Sequence, residues 1–294
     1  MKELKDIERS IQKKYRKEIF SKFVRAINEF NLIEENDKIA ICISGGKDSF
    51  LLAKCMQELK RHNKFHYELV FMVMNPGYSE EKLQAIIDNA KYLNIPITIF
   101  DTNIFEVIKD NTNPCYLCAR MRRGCLYSKA KELGCNKIAL GHHFNDVIET
   151  ILLNQIYNGT FSSMLPILDS DNYPGMKLIR PLFYVKEKDI ISWVKYSELN
   201  FLDCACVITK KNIGKRKEIK LLIEELVKMY ENADINIMNS MFNVNPNTTF
   251  NKIKEESIII KNYLFSLIYK IFNDLNIFFS YTISIYIIRR KNEL

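Results

Sequence analysis

Near the start of the chain an apolar residue recurs at every fourth position: Ile7, Ile11, Tyr15, Ile19, Phe23 and Ile27, with lysines and arginines between them. This spacing predicts an amphipathic helix whose other face is basic. The pattern then changes to short apolar runs separated by longer helical stretches. "DKIAICI" (37–43), "HYELVFMVMNPG" (66–77), "PITIFDT" (96–102), "NKIALGHH" (136–143) and "MKLIRPL" (176–182) read as five strands. Between and after them, "FLLAKCMQELK" (50–60), "SEEKLQAIIDNAKYL" (79–93), "DVIETILLNQIYN" (146–158) and "KEKDIISWVKYSEL" (186–199) read as helices, and the stretch 113–134 as a cysteine pair leading into a basic helix that ends at Gly134. Strands alternating with helices predict an α/β fold. The expected architecture is an open, mainly parallel five-stranded sheet covered by helices on both faces. Ligands of such sheets bind at the carboxyl ends of the strands. "SGGKDS" (44–49), "NPG" and "GHH" all fall at such ends.

Composition adds a partner class. The net charge is +8, and the first 25 residues hold nine Lys/Arg against four Asp/Glu. A basic arm of this kind suits nucleic acid or another anionic surface, and the bland alternative is a solvated helix face. The charged start carries no apolar signal segment, so a cytoplasmic, reducing setting is expected. There, clustered cysteines among the eight favour metal or redox chemistry over disulfides. Cys42, Cys55 and Cys135 stand alone in apolar or helical contexts and read as small buried residues. Beyond residue 250 the chain is rich in Ile, Phe, Tyr and Asn, and reads as a helical extension. Its cleanest apolar run, 277–288, is too short for a comfortable membrane span, and no membrane partner is expected.

The run "SGGKDS" joins a buried strand to a helix, and a helix N-terminus receives anions through its free N–H groups. It lacks the G-x-x-x-x-G-K-[ST] spacing of an ordinary P-loop. Gly45 and Gly46 would admit a phosphate close to the backbone, Lys47 would neutralise it, and Ser44 and Ser49 would donate hydroxyl hydrogen bonds. Asp48 reads either as a Mg²⁺ ligand or as a helix cap. Two cysteine pairs stand out: "CYLC" (Cys115, Cys118) and "CAC" (Cys204, Cys206). Their spacing alone leaves zinc, an iron–sulfur cluster and redox use open. Arg120, Arg122 and Arg123 follow the first pair and would meet RNA or ATP phosphates. His142-His143 suits the rim of a nucleotide site. Asp146 opens the next helix, as an N-cap or as a site acid.

"SGGKDS" resembles the PP-loop of the N-type ATP pyrophosphatases, which cleave ATP between its α and β phosphates. The stretch "CYLCARMRRGCLYSKAKELGCNKIALGHHFNDVIETILLNQIYNGTFSSMLP", continued by "GMKLIRPLFYVKEKDIISW", resembles the tRNA 2-thiocytidine synthetase family. That likeness spans roughly residues 15–245. It implies an adenine nucleotide alpha hydrolase-like fold, with Ser44, Gly45, Gly46, Lys47, Asp48, Ser49, Met74, Gly141 and His142 at ATP, and Lys47, Asp48 and Asp146 in catalysis. It also implies a [4Fe–4S] cluster on Cys115, Cys118 and one cysteine of "LDCAC", where members of the family more often show C-x-x-C. Cys206 is preferred to Cys204 because the apolar "VIT" after it would shield a cluster.

The resemblance thus implies a tRNA sulfurtransferase. It would use ATP, Mg²⁺ and the cluster to adenylate and then thiolate a cytidine, position 32 in the anticodon loop. Expected partners are tRNA, a sulfur donor such as a cysteine desulfurase, and a second copy of the chain. A PP-loop thiolase acting on uridine would often carry further C-x-x-C pairs, and a non-enzymatic iron–sulfur RNA-binding protein would need no ATP turn. The expected division is a basic helix at 1–30, the catalytic domain at 31–249 and the extension at 250–294.

Overall fold

The computed structural model describes residues 2–62, 65–107, 114–202 and 214–248. The chain divides into a unit of Met1–Met241 and a second beginning at Phe242. All that follows concerns the first. The expected extension from 250, with its 277–288 run, lies outside the described residues. Among those residues no helix is long and apolar enough to cross a membrane.

The N-terminal stripe is buried at all six positions, but not on one uniform helix. Four residues advance an α-helix by more than one turn, so a strict four-residue spacing drifts about 40° per step. Five steps would carry the stripe about half-way round. The chain corrects this by breaking α1 (Leu4–Gln12) and running through a π turn (Arg16–Phe20) into α2 (Ser21–Glu29). Wider turns take up the extra residue and keep Tyr15, Ile19 and Phe23 on the core. Polar contacts fasten this segment. Lys54, fully buried, gives its ammonium to Glu8 at 2.7 Å and to the Leu93 carbonyl at 3.0 Å. The Tyr15 hydroxyl donates to the Ser192 carbonyl at 2.8 Å. Lys5, Arg9, Lys13, Lys14, Arg16 and Lys17 remain exposed, so the outer face is basic as expected.

The sheet has six strands among the described residues, in the order β3-β2-β1-β4-β6-β5. They are β1 (Lys38–Ile43), β2 (Glu68–Asn75), β3 (Ile97–Asp101), β4 (Lys137–Ala139), β5 (Ile167–Asp169) and β6 (Lys177–Ile179). Five expected strands are present as β1–β4 and β6, all parallel to one another. The expected count of five is corrected by β5, an antiparallel edge strand on β6. Its three residues are too few to show an alternation, and two of them are exposed.

Both faces are covered. Along β1, Ile39, Ile41 and Ile43 join a core that includes Phe23, Phe50 and Trp193. Ala40 and Cys42, between them, join a separate core with Tyr127 and Ala130 of α6 (Pro114–Glu132). The period of two sends alternate residues to opposite faces, so each face buries its own cluster. Cys42, Cys55 and Cys135 are buried as expected, and burial pushes each thiol up.

The chain runs outward through β1, β2 and β3, then returns to place β4 on the other side of β1. The carboxyl ends of β1 and β4 therefore face a crevice where the winding reverses, the usual ligand position in such sheets.

Candidate active site

The crevice is lined by three strand-to-helix junctions. At the first, β1 passes through Ser44-Gly45-Gly46 into α3 (Lys47–Arg61), with Gly46 at its N-cap in extended geometry. Gly45 has φ +89°, and a Cβ there would lie 2.9 Å from Ile86 side-chain atoms and 3.0 Å from a Leu202 methyl. Only glycine takes this conformation freely. The Ser49 hydroxyl donates to the Gly46 carbonyl at 2.8 Å and accepts the Ser44 N–H at 3.2 Å, which ties the turn to the first helical turn. Early N–H groups of α3 consequently face the crevice without intrahelical acceptors.

The second junction is the end of β4. A Cβ on Gly141 would lie 3.0 Å from both the Asp48 carbonyl carbon and the Ser49 nitrogen, so this strand end abuts the start of α3. His143 caps α7 (Phe144–Asn158), and its N–H donates to Asp146 Oδ2 at 3.0 Å. Asp146 is therefore both a cap partner, one turn into the helix, and a crevice carboxylate. Its other oxygen, Oδ1, accepts from Arg216 Nη2 at 2.7 Å, while Arg216 Nε reaches Glu149 at 2.9 Å. Burial alone would push the Asp146 carboxyl up, but His143, Arg216 and the His143 backbone N–H outweigh it and hold it below the ordinary range. Asp146 is a fixed anion.

Asp48 differs. Burial pushes its carboxyl up, and His143 and Lys47 only partly offset this. Its Oδ1 is buried without a hydrogen-bond partner, with His143 Nε2 3.8 Å away. A buried carboxylate oxygen lacking a donor suits a cation, so Mg²⁺ fits here. Lys47 Nζ lies 3.3 Å from Asp48 Oδ2 and 3.2 Å from Glu187 Oε1, at the start of α8 (Glu187–Ser197). Lys220 of α9 (Gly214–Met229) holds the other Glu187 oxygen at 2.7 Å. Burial disfavours the Lys47 ammonium, but Asp48 and Glu187 outweigh it and raise its pKa. Glu187 is lowered by its two lysines in spite of burial, so the firm pairing of Lys47 is with Glu187. His142, pushed down to about 4 by burial, is a neutral imidazole whose Nδ1 is buried without a partner.

The third junction carries the cysteines. Cys118 on α6 packs against Met74, at the carboxyl end of β2, and against Ile104 of α5 (Ile104–Val107). Cys115 lies one turn earlier in the same helix. Two thiol-bearing positions one helical turn apart suit a shared metal group. Cys204 and Cys206 lie outside the described residues. The stretch leading to them arrives at the phosphate turn, where the Leu202 N–H donates to the Gly45 carbonyl at 3.1 Å. Among the described residues no three His, Cys, Asp or Glu side chains form a complete metal site. Arg120 and Arg123 are exposed on α6. Arg122 instead turns inward over the Phe105 ring, 5.7 Å from its centroid, with Nε and Nη2 buried and unpartnered.

The structure thus gathers Ser44–Ser49, Gly141, His142 and Asp146 at one crevice, and Met74 with Cys118 at the neighbouring strand end. Sequence reasoning missed Glu149, Arg180, Glu187, Arg216 and Lys220. Glu149, Arg180 and Glu187 stand inside the stretch that carried the family resemblance, which was the only available signal for them.

A glycine turn at the switch point of a parallel sheet, with a lysine and a cation-ready aspartate, defines a PP-loop nucleotide-binding protein. Residues 13–206 match the PP-loop domain family. A tRNA-cytidine(32) 2-sulfurtransferase of Geobacter metallireducens is 37% identical over 239 residues, covering 80% of this chain and 92% of that protein. One from Neisseria meningitidis serogroup C is 36% identical, covering 75% of this chain and 70% of that protein. The chain belongs to the tRNA-cytidine(32) 2-sulfurtransferase family of PP-loop proteins. Among solved structures, the U34-tRNA thiolase NcsA from Methanococcus maripaludis with its [4Fe-4S] cluster shares the fold, with a TM-score of 0.60 and 23% identity, covering 75% of this chain and 77% of that one.

Proposed function

We propose that this chain is an ATP-dependent tRNA sulfurtransferase that converts a tRNA cytidine, at position 32, to 2-thiocytidine. The observation that carries the reading is the meeting of the phosphate turn with the Cys118 helix across adjoining strand ends, in a chain of this family. Ser44, Gly45, Gly46 and Ser49 receive the ATP phosphates at the α3 N-terminus. Lys47 moves from Glu187 to the phosphates, and Lys220 keeps Glu187 neutralised when it does. Asp48 would hold Mg²⁺, which offsets phosphate charge. Met74, Gly141 and His142 border the nucleotide.

In the first displacement the cytosine O2 attacks the α-phosphorus and pyrophosphate leaves. In the second, sulfur bonds to carbon 2 and AMP leaves with the former O2. Asp146, a permanent anion, orients the cationic edge of the activated base. Cys115, Cys118 and Cys206 or Cys204 would hold the [4Fe–4S] cluster, which when bound supplies the sulfur chemistry of the second displacement. Arg120 and Arg123, exposed on α6, contact RNA phosphates. The sulfur donor is of the cysteine desulfurase class, and a homodimer and a cytoplasmic setting accompany the reading. Residues 31–249 form the catalytic domain with 1–30 packed into it, and 250–294 form an extension.

The test is mass analysis of tRNA nucleosides from cells lacking the gene. 2-Thiocytidine should vanish, and should return with the unaltered gene but not with Lys47→Ala. Loss of a thiouridine with 2-thiocytidine intact would replace this reading with a uridine thiolase. No change in any thionucleoside would leave an RNA-binding protein.

A further inference from the structure

Buried lysines in this fold carry carboxylate partners. Lys54 has Glu8 and Lys137 has Asp37 at 2.7 Å, and the half-buried Lys47 has Glu187. Arg180 breaks that rule. It follows β6 directly, is 8% exposed, and forms no ion pair among the described residues. Its Nη1 donates to the Leu165 carbonyl and its backbone N–H to the Pro166 carbonyl at 2.8 Å. Its Nε is buried with no hydrogen-bond partner. The charges that act on it are Arg123, which repels, and Asp146, which is already held by Arg216 and the His143 N–H. Burial and Arg123 together pull the guanidinium down to about 10. A desolvated cation without a counter-ion is costly, and persists most readily where an anion arrives from outside.

Position says which anion. The strand order is β1, β4, β6. The phosphate turn stands at the end of β1, His142 just beyond β4, and Arg180 just beyond β6. Arg180 therefore lies across β4 from the ATP turn, on the side left for the acceptor. His142 Nδ1, also buried and unpartnered, stands between the two. We propose that Arg180 is a subsite for a phosphate oxygen of the RNA acceptor, beside the target nucleotide and separate from the ATP phosphates. This rests on the tRNA reading and names the group that fixes the acceptor strand.

The full-length protein, kept anaerobic, is titrated with an unmodified anticodon stem-loop RNA over a range of salt, and separately with ATP. Arg180→Gln should weaken RNA binding about tenfold at moderate salt and lower the slope of log K against log salt by about 0.7–0.9, the value of one phosphate. ATP affinity should not change. Arg180→Lys should keep the slope and lose affinity only a few-fold, because the point charge survives without the guanidinium fork. Weakened ATP binding with an unchanged RNA slope would overturn the proposal and assign Arg180 to the nucleotide. A lowered melting temperature with both affinities intact would also overturn it, leaving a clamp on Leu165 and Pro166. A third arm needs no variant: single methylphosphonates are placed on either side of the target cytidine. One of them should cost the unaltered protein about tenfold in RNA affinity, and the absence of any cost would refute the subsite. Failure of the tRNA reading itself would show differently, as no RNA binding by the unaltered protein at any salt.

Discussion

The two sides of the crevice treat positive charge in opposite ways. On the β1 side, Lys47, Lys220 and Arg216 all rest on carboxylates: Glu187 for both lysines, and Asp146 and Glu149 for the arginine. On the β6 side, the Arg180 guanidinium has the Leu165 carbonyl and, among the described residues, no carboxylate. A paired lysine can exchange partners when a ligand comes, because the ion it leaves is still neutralised. An unpaired buried guanidinium has no internal exchange to make. The first side is arranged to release and recapture a ligand on each cycle. The second is incomplete until the substrate supplies its charge.

Breaking the paired side at its centre should have the largest effect. Lys47→Ala removes the cation of the turn, and tRNA-dependent AMP release should fall about 10²–10³-fold, as when one preorganised electrostatic contact to a reacting oxygen is lost. Activity within threefold of the unaltered protein would refute the assignment. Next, Gly45→Ala forces a side chain onto a φ of +89° with Ile86 2.9 Å away. It should cost about 1–3 kcal/mol of stability, read by urea denaturation, and weaken ATP binding as the turn shifts.

The pH dependence sharpens the comparison. His142 is neutral in the fold and its pKa is depressed, so the unfolded chain binds its proton more readily. Stability from this residue is undiminished above about pH 7 and falls as pH drops from about 6.5 towards 4, by about 1.4 kcal/mol per unit. Asp146 acts only below its ordinary carboxylate range, where protonation removes its pairing. Urea midpoints from pH 7 to 4 should therefore slope downward, and His142→Gln should flatten that limb. A slope unchanged in the variant would show that another group carries it.

The smallest effect concerns partner exchange. Glu187→Gln frees Lys47 from its partly exposed pair, and ATP should bind up to about fivefold tighter, the scale of such a contact. Weaker ATP binding would mean that Glu187 supports Lys47 rather than competing with the phosphates.

Much of this was visible along the chain, for identifiable reasons. "SGGKDS", "NPG" and "GHH" are local signals: each depends on a strand stopping and a turn beginning within a few residues. The five parallel strands were marked by apolar runs, whereas β5, at three residues, gave no period. The carboxylate partners were not visible because each contact joins distant positions. Glu187 stands 140 residues from Lys47, and Arg216 stands 70 from Asp146. Only the folded sheet brings them together, and a lone glutamate opening a helix looks like any other first-turn acid. The inward turn of Arg122 was hidden for the same reason. In a basic run beside the cysteines it reads as a phosphate contact, and only the packing of α6 on α5 turns it over the Phe105 ring.

The hydrogen bond from Tyr15 to Ser192 spans 177 residues. At typical ribosomal rates of about 5–20 residues per second, α8 emerges roughly ten to thirty-five seconds after the segment it covers. Throughout that interval the Tyr15 side of the stripe of isoleucines and aromatics lacks its α8 cover. Trigger-type chaperones that bind such stripes on emerging polypeptides should therefore associate early and let go only after α8 has been made. Ribosome profiling of chaperone occupancy along this message should show release beyond codon 197.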